Sequence, residues 1–141
     1  MFTTSHFHPM LVHFPIALVT FGYLAVLVSV FIKNDIFFSK ASFYLLILGT
    51  LSAIVAVFTG VFFTGDMSGA AGQVQSTHEL LAFITLGFLG ITSVLRIIQN
   101  GKPDSSMLKW SSFAFYTLAV MAVSVTGFFG GNLVYNYMMP L

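Results

Sequence analysis

Four apolar runs, each close to the roughly 20 residues that cross a hydrocarbon core about 30 Å thick, fall at about 9 to 32, 42 to 64, 77 to 98 and 110 to 131. Short polar links separate them. The chain of 141 residues is 57% hydrophobic and 6% charged, whereas a soluble domain carries about 25% charged residues. Too little polar surface remains to clothe a water-soluble globule, so the solvent is lipid. The pattern predicts an all-α integral membrane protein, one membrane domain over 1–141, with four helices running up-down-up-down as a bundle. A net charge of +1 offers nothing to nucleic acid. With no cysteine there is no disulfide framework, thiolate metal site, c-type haem attachment or iron–sulfur cluster. Metal chemistry would fall to histidine, carboxylate and methionine. Nothing basic precedes the first run, and it outlasts the 7 to 15 residue core of a cleaved signal, so it is expected to be a helix of the mature chain.

All the basic residues lie in or beside two links, Lys33 to Lys40 and Arg96 to Lys109. By the positive-inside rule these links face the cytoplasm, and both termini and the Gly-rich link 65–76 face outward. His6, His8, His13 and His78 then share the outer end with Asp66 and Glu79. Ser76-Thr-His-Glu79 has the pattern of a capping box and predicts a helix start there, with His78 in the first turn. Pro9 suits a first helical turn, and Pro15, two residues after His13, predicts a kink.

An internal repeat underlies these spans. Aligning His13–Gly22 with His78–Gly87, an offset of 65 residues from 13 to 78, matches His, Ala, Thr and Gly. Thr59-Gly60 matches Thr126-Gly127 at an offset of 67. Two similar hairpins, about 9–64 and about 77–131, would then be related by a pseudo-twofold axis along the membrane normal. His13 and His78 would approach the bundle axis from opposite sides, each above a small residue and a hydroxyl at +4 and +7: Ala17 and Thr20, Ala82 and Thr85.

Two opposed imidazoles with small neighbours suit a flat macrocycle with iron on the axis, the arrangement of a bis-histidine haem b. His13 and His78 are the expected axial ligands, with His8 as substitute ligand or propionate partner. Thr59, Gly60, Thr126, Gly127 and Gly130 would admit the macrocycle edge, and Gln73, Gln75, Asn132 or Tyr135 could bond the propionates. The helix N-terminus would hold His78 neutral and able to ligate. A plainer account is available for many of these residues. Glycines at helix spacing pack membrane helices in any bundle, which covers Gly60, Gly127, Gly130 and Gly131. His6 and His8 can be solvated interfacial residues, Glu79 a cap and Asp66 a loop charge. Met10, Met138 and Met139 add thioethers that, beside histidine, could take copper(I). No nucleotide loop, zinc-protease motif or intramembrane carboxylate is present, so independent catalysis is not expected.

His8-Pro-Met-Leu-Val-His-Phe-Pro-Ile-Ala17, followed by Thr59-Gly60, His78 and Gly130-Gly-Asn-Leu-Val-Tyr135, resembles the bacterial membrane family catalogued as domain of unknown function 2231, over nearly the whole chain. The family's signature histidines fall on His8, His13 and His78. Members fused to c-type cytochrome or Rieske-type modules imply an electron-transfer setting, with the redox partner of this chain supplied separately.

Three readings follow. The first is a small b-type cytochrome that exchanges electrons near the outer face with a c-type cytochrome, a Rieske-type protein or quinone. The second is an outer-facing copper or zinc site built from His6, His8, His13 and His78. The third is a non-catalytic subunit of a larger membrane redox complex. The topology is directly testable, because the chain has no native cysteine to interfere. Asp66→Cys is expected to react with a membrane-impermeant maleimide in intact cells, and Asp104→Cys only after permeabilisation; the reverse pattern would invert the orientation.

Overall fold

In a computed structural model of the chain, residues 7–31 and 36–138 are described. Helix α1 (Phe7–Leu11) leads into α2 (His13–Phe31), followed by α3 (Ile36–Phe63), α4 (Gly69–Gly101) and α5 (Ser106–Asn132), which ends in a π-helical turn over Leu133–Met138. Four spans, with α1 and α2 counted as one, are long and apolar enough to cross a membrane. His6, Lys33 and Met139 lie outside the described residues, as does the side chain of Met138.

The two hairpins, α2–α3 and α4–α5, are each closely packed, and they meet through α3 against α4 and α2 against α5. α2 and α4 are therefore diagonal. Large apolar side chains such as Phe21, Leu51, Phe58, Phe62 and Phe128 are exposed on the outside, as expected where lipid is the solvent. Small and hydroxyl side chains turn inward: Ala53, Ala56, Ser42, Thr92, Ser93 and Ser112 are all buried. That inversion is how membrane helices approach closely without a hydrophobic driving force between them. Tyr23 Oη meets Thr117 Oγ1 at 2.9 Å across α2 and α5, and Thr50 Oγ1 meets Ser93 Oγ at 2.9 Å across α3 and α4. The buried Tyr116 hydroxyl donates to the Val19 carbonyl at 3.2 Å.

Burial repeats along the chain with a displacement of 70 residues, for example from 42 to 112. Ser42, Leu46, Gly49 and Ala53 of α3 correspond in this way to Ser112, Tyr116, Ala119 and Val123 of α5, all buried. Pro15 and Val19 correspond to Thr85 and Leu89. The duplication is thus visible in packing, but in a different register from the 65 to 67 residues suggested by the local His, Ala, Thr and Gly matches.

Helix starts also differ from the sequence reading. α4 begins at Gly69, which has φ +64°, with Ser68 as its N-cap. Ser76 and Thr77 lie inside the helix and donate to the Gly72 and Gln73 carbonyls at 3.0 Å, so the capping box at Ser76 is not formed and His78 is more than two turns in. The Gln75 side chain instead fastens the 65–68 link: Oε1 accepts from Met67 N at 2.8 Å and Nε2 donates to Gly65 O at 3.2 Å. The expected discontinuity before Pro15 is present at Val12, between α1 and α2. Proline has no N–H to donate to the Leu11 carbonyl four residues back, while Val12 N still reaches His8 O at 3.1 Å.

A Cβ on Gly49 would stand 2.8 Å from Val19 Cγ2 and 3.3 Å from Val19 N. Gly49→Val is expected to force α2 and α3 apart and to cost about 1–3 kcal/mol, read as a lowered midpoint in detergent or nanodisc unfolding.

Candidate functional site

At the end of the bundle remote from Lys40, Lys102, Lys109 and Arg96, two imidazoles face each other. The ring centroids of His8 and His78 are 6.1 Å apart with their planes at 73°. His8 comes from α1 and His78 from the interior of α4, and both are half-buried. Each ring is anchored to the second helix of its own hairpin. The Nδ1–H of His8 donates to the Ala56 carbonyl at 3.0 Å, with Thr59 Oγ1 at 3.3 Å, and the Nδ1–H of His78 donates to the Thr126 carbonyl at 3.0 Å. A carbonyl oxygen only accepts, so both Nδ1 atoms carry the proton. Among the described residues neither Nε2 has a hydrogen-bond partner.

The two anchors are copies of one another. Each bond spans 48 residues of chain, and each ring lies against a glycine one turn beyond its carbonyl partner. A Cβ on Gly60 would come 3.0 Å from His8 Cε1, and one on Gly130 would come 3.0 Å from His78 Cε1. These glycines seat the imidazoles. The histidine pair therefore obeys the same 70-residue displacement as the buried positions, with His8, Ala56 and Gly60 equivalent to His78, Thr126 and Gly130.

His13 is displaced from this pairing. It is exposed, and although it borders the cavity around the histidines, it does not face His78 as expected. His8 and His13 lie on different helices, His13 opening α2 beyond the break at Val12. Ala17 is exposed as well, and neither Ala17 nor Thr20 borders the cavity. Ala82, Thr85, Gly60 and Gly127 do border it, together with His8 and His78. Thr85 is buried and bonds Thr126 Oγ1 at 3.0 Å, and the Thr126 hydroxyl in turn donates to the Ala122 carbonyl at 2.7 Å.

The cavity has a volume of about 290 Å³, at the lower edge of the roughly 300–1,000 Å³ typical of small-molecule sites. Its wall is predominantly apolar, from Pro15, Ile16, Ala53, Phe83 and Val123, with Glu79 and Tyr135 also bordering it. A Cβ on Gly131 would meet nothing within 4 Å. Gln75, expected among the propionate partners, has its amide committed to the 65–68 link. Among the described residues no group of three or more His, Cys, Asp or Glu side chains could close on a metal ion. Met67, not singled out in the sequence, also lines the cavity.

Fold and site together define a four-helix membrane protein with a symmetry-related histidine pair at one end of the bundle. The family described as Predicted membrane protein (DUF2231) matches residues 4–140, and the chain belongs to it. No curated protein and no solved structure matches the chain significantly.

Gly60→Ala and Gly130→Ala are each expected to push an imidazole off its carbonyl and to lower stability by about 1 kcal/mol. Gly131→Ala, with open space around it, is the matched control. Equal midpoints for all three variants in thermal unfolding would show that the glycines do not seat the rings.

Proposed function

We propose that this chain is a small b-type cytochrome, with His8 and His78 supplying the two axial ligands of a haem near one end of the bundle. The observation that carries the reading is the paired geometry of the rings. Two metal–nitrogen bonds of about 2 Å each and two ring radii on the order of 1 Å each add to roughly 6 Å, against a centroid separation of 6.1 Å. The Nδ1–H to carbonyl bond on each ring is the outer-shell contact that fixes tautomer and orientation in metal-ligating histidines. It leaves Nε2 as the coordinating atom on both sides. The residues also fit in polarity: the apolar wall would exclude water from a macrocycle, and Ala82, Gly127 and Gly131 are small residues at the border of the cavity.

When bound, haem would supply reversible one-electron chemistry, tuned by its axial ligands and the dryness of its pocket. The protein's part would be to hold the imidazoles of His8 and His78 at a fixed separation, to keep both Nδ1 protons on backbone carbonyls, and to limit water in the cavity. His13 and Glu79 stand at the cavity border and would set the polarity where an electron enters or leaves. The basic links at the opposite end support an orientation in a bacterial cytoplasmic membrane with the histidines on the outer side, where a c-type cytochrome, a Rieske-type protein or quinone would be the exchange partner within a larger complex.

One observation favours a second reading. Copper(I) accepts two imidazoles and a thioether, and Met67 lines the same cavity as the histidine pair. Zinc fits less well, since its structural sites take four ligands.

Protein expressed with haem supply is expected to show a reduced α-band, lost in both His8→Ala and His78→Ala and retained in His13→Ala. Absence of the band together with one copper per chain, dependent on the same two histidines and on Met67, would select the second reading. Absence of both chromophore and metal would overturn the site.

A further inference from the structure

The opposite end of the bundle holds a second cavity, of about 370 Å³, open on one side and lying between the ends of α2 and α4 and the starts of α3 and α5. Arg96 and Lys109 line it, with Gln99, Asn100 and Ser112 as further polar groups. No carboxylate lines it among the described residues. Arg96 is largely withdrawn from solvent, and among the described residues it makes no ion pair. Its Nη2 donates to the Ser39 carbonyl at 3.2 Å and its Nη1 to Gln99 Oε1 at 3.3 Å, while its buried Nε has no hydrogen-bond partner. A guanidinium has five N–H donors, and the acceptors that Arg96 meets among the described residues are neutral. An ionisable group withdrawn into a membrane protein is costly and marks a site by default.

The apolar part of the wall comes from Val26, Val30, Ile36, Trp110 and Phe113. A cationic, donor-rich pole beside an apolar wall recognises an anion with a hydrocarbon portion. We infer that this cavity binds a phosphate group, with the planar Arg96 fork and the Lys109 ammonium as its cationic partners. The phosphate belongs either to an acidic phospholipid headgroup, whose chain would lie against the apolar wall, or to a soluble phosphate. This site is separate from the histidine pair and does not depend on what that pair binds.

Trp110, the single tryptophan of the chain, borders the cavity and reports on it directly. Intact protein in phosphatidylcholine nanodiscs would be compared with protein in nanodiscs containing increasing phosphatidylglycerol, and detergent-solubilised protein would be titrated with inorganic phosphate. A saturable change in Trp110 emission is expected in one arm at least. A response to phosphatidylglycerol alone identifies a lipid site, and a response to inorganic phosphate identifies a soluble anion. Arg96→Gln and Lys109→Gln are expected to weaken the response at least tenfold, and Lys102→Gln, which lies outside the lining, to leave it unchanged. Lys109 is exposed, so its replacement keeps the test decisive should Arg96→Gln fail to fold. Equal responses to phosphatidylcholine and phosphatidylglycerol with none to phosphate, or a wild-type response in Lys109→Gln and in any folded Arg96→Gln, would overturn the inference.

Discussion

In lipid an apolar side chain gains nothing by turning inward, and the architecture follows from that constraint. What holds two hairpins together is close approach at small residues and hydrogen bonds that hydrocarbon cannot replace. Gly49 lets α3 reach Val19 of α2. Tyr23 with Thr117, Thr50 with Ser93, and Tyr116 with the Val19 carbonyl tie one helix to another. The same rule governs the histidines. A ring nitrogen withdrawn from water needs a partner, and the carbonyls of Ala56 and Thr126 supply one on each side. Anchoring the rings and packing the bundle are therefore a single operation, performed twice.

The spans were legible in the sequence because hydrophobic length has one physical meaning in a bilayer. The helix ends were not. Ser76 to Glu79 satisfies the grammar of a capping box, but Gly69 with its positive φ and the side chain of Gln75 start the helix two turns earlier. Capping patterns compete with tertiary contacts that no local window contains. The candidate site divides in the same way. His8, His78, Gly60 and Thr126 all stood out as rare residues near the ends of apolar runs. Their pairing did not, because His13 shares a more persuasive neighbourhood with His78, down to the alanine, threonine and glycine that follow each.

The 70-residue register was present in the sequence, in Ser42-Phe43 against Ser112-Phe113 and in His8 and Gly60 against His78 and Gly130. Among so many interchangeable apolar residues it carried little weight until burial and hydrogen bonding identified which positions do equivalent work. The glycines illustrate the point. In sequence Gly60 and Gly130 read equally as helix-packing residues or as room for a ligand's edge, whereas in the folded chain they face imidazole carbons.

The duplication is imperfect at one joint. α4 passes through the position of His78 without a break, whereas His8 sits on the five-residue α1, divided from α2 at Val12 where Pro15 withholds a hydrogen bond from Leu11. The twofold pair is thus built on unequal supports. His78 lies inside a continuous span, whereas His8 lies on a short helix held against α3 by the His8 to Ala56 bond and the packing around it. Two equivalent rings therefore depend on different parts of the chain for their position, one on a membrane span itself and the other on the segment that leads into one.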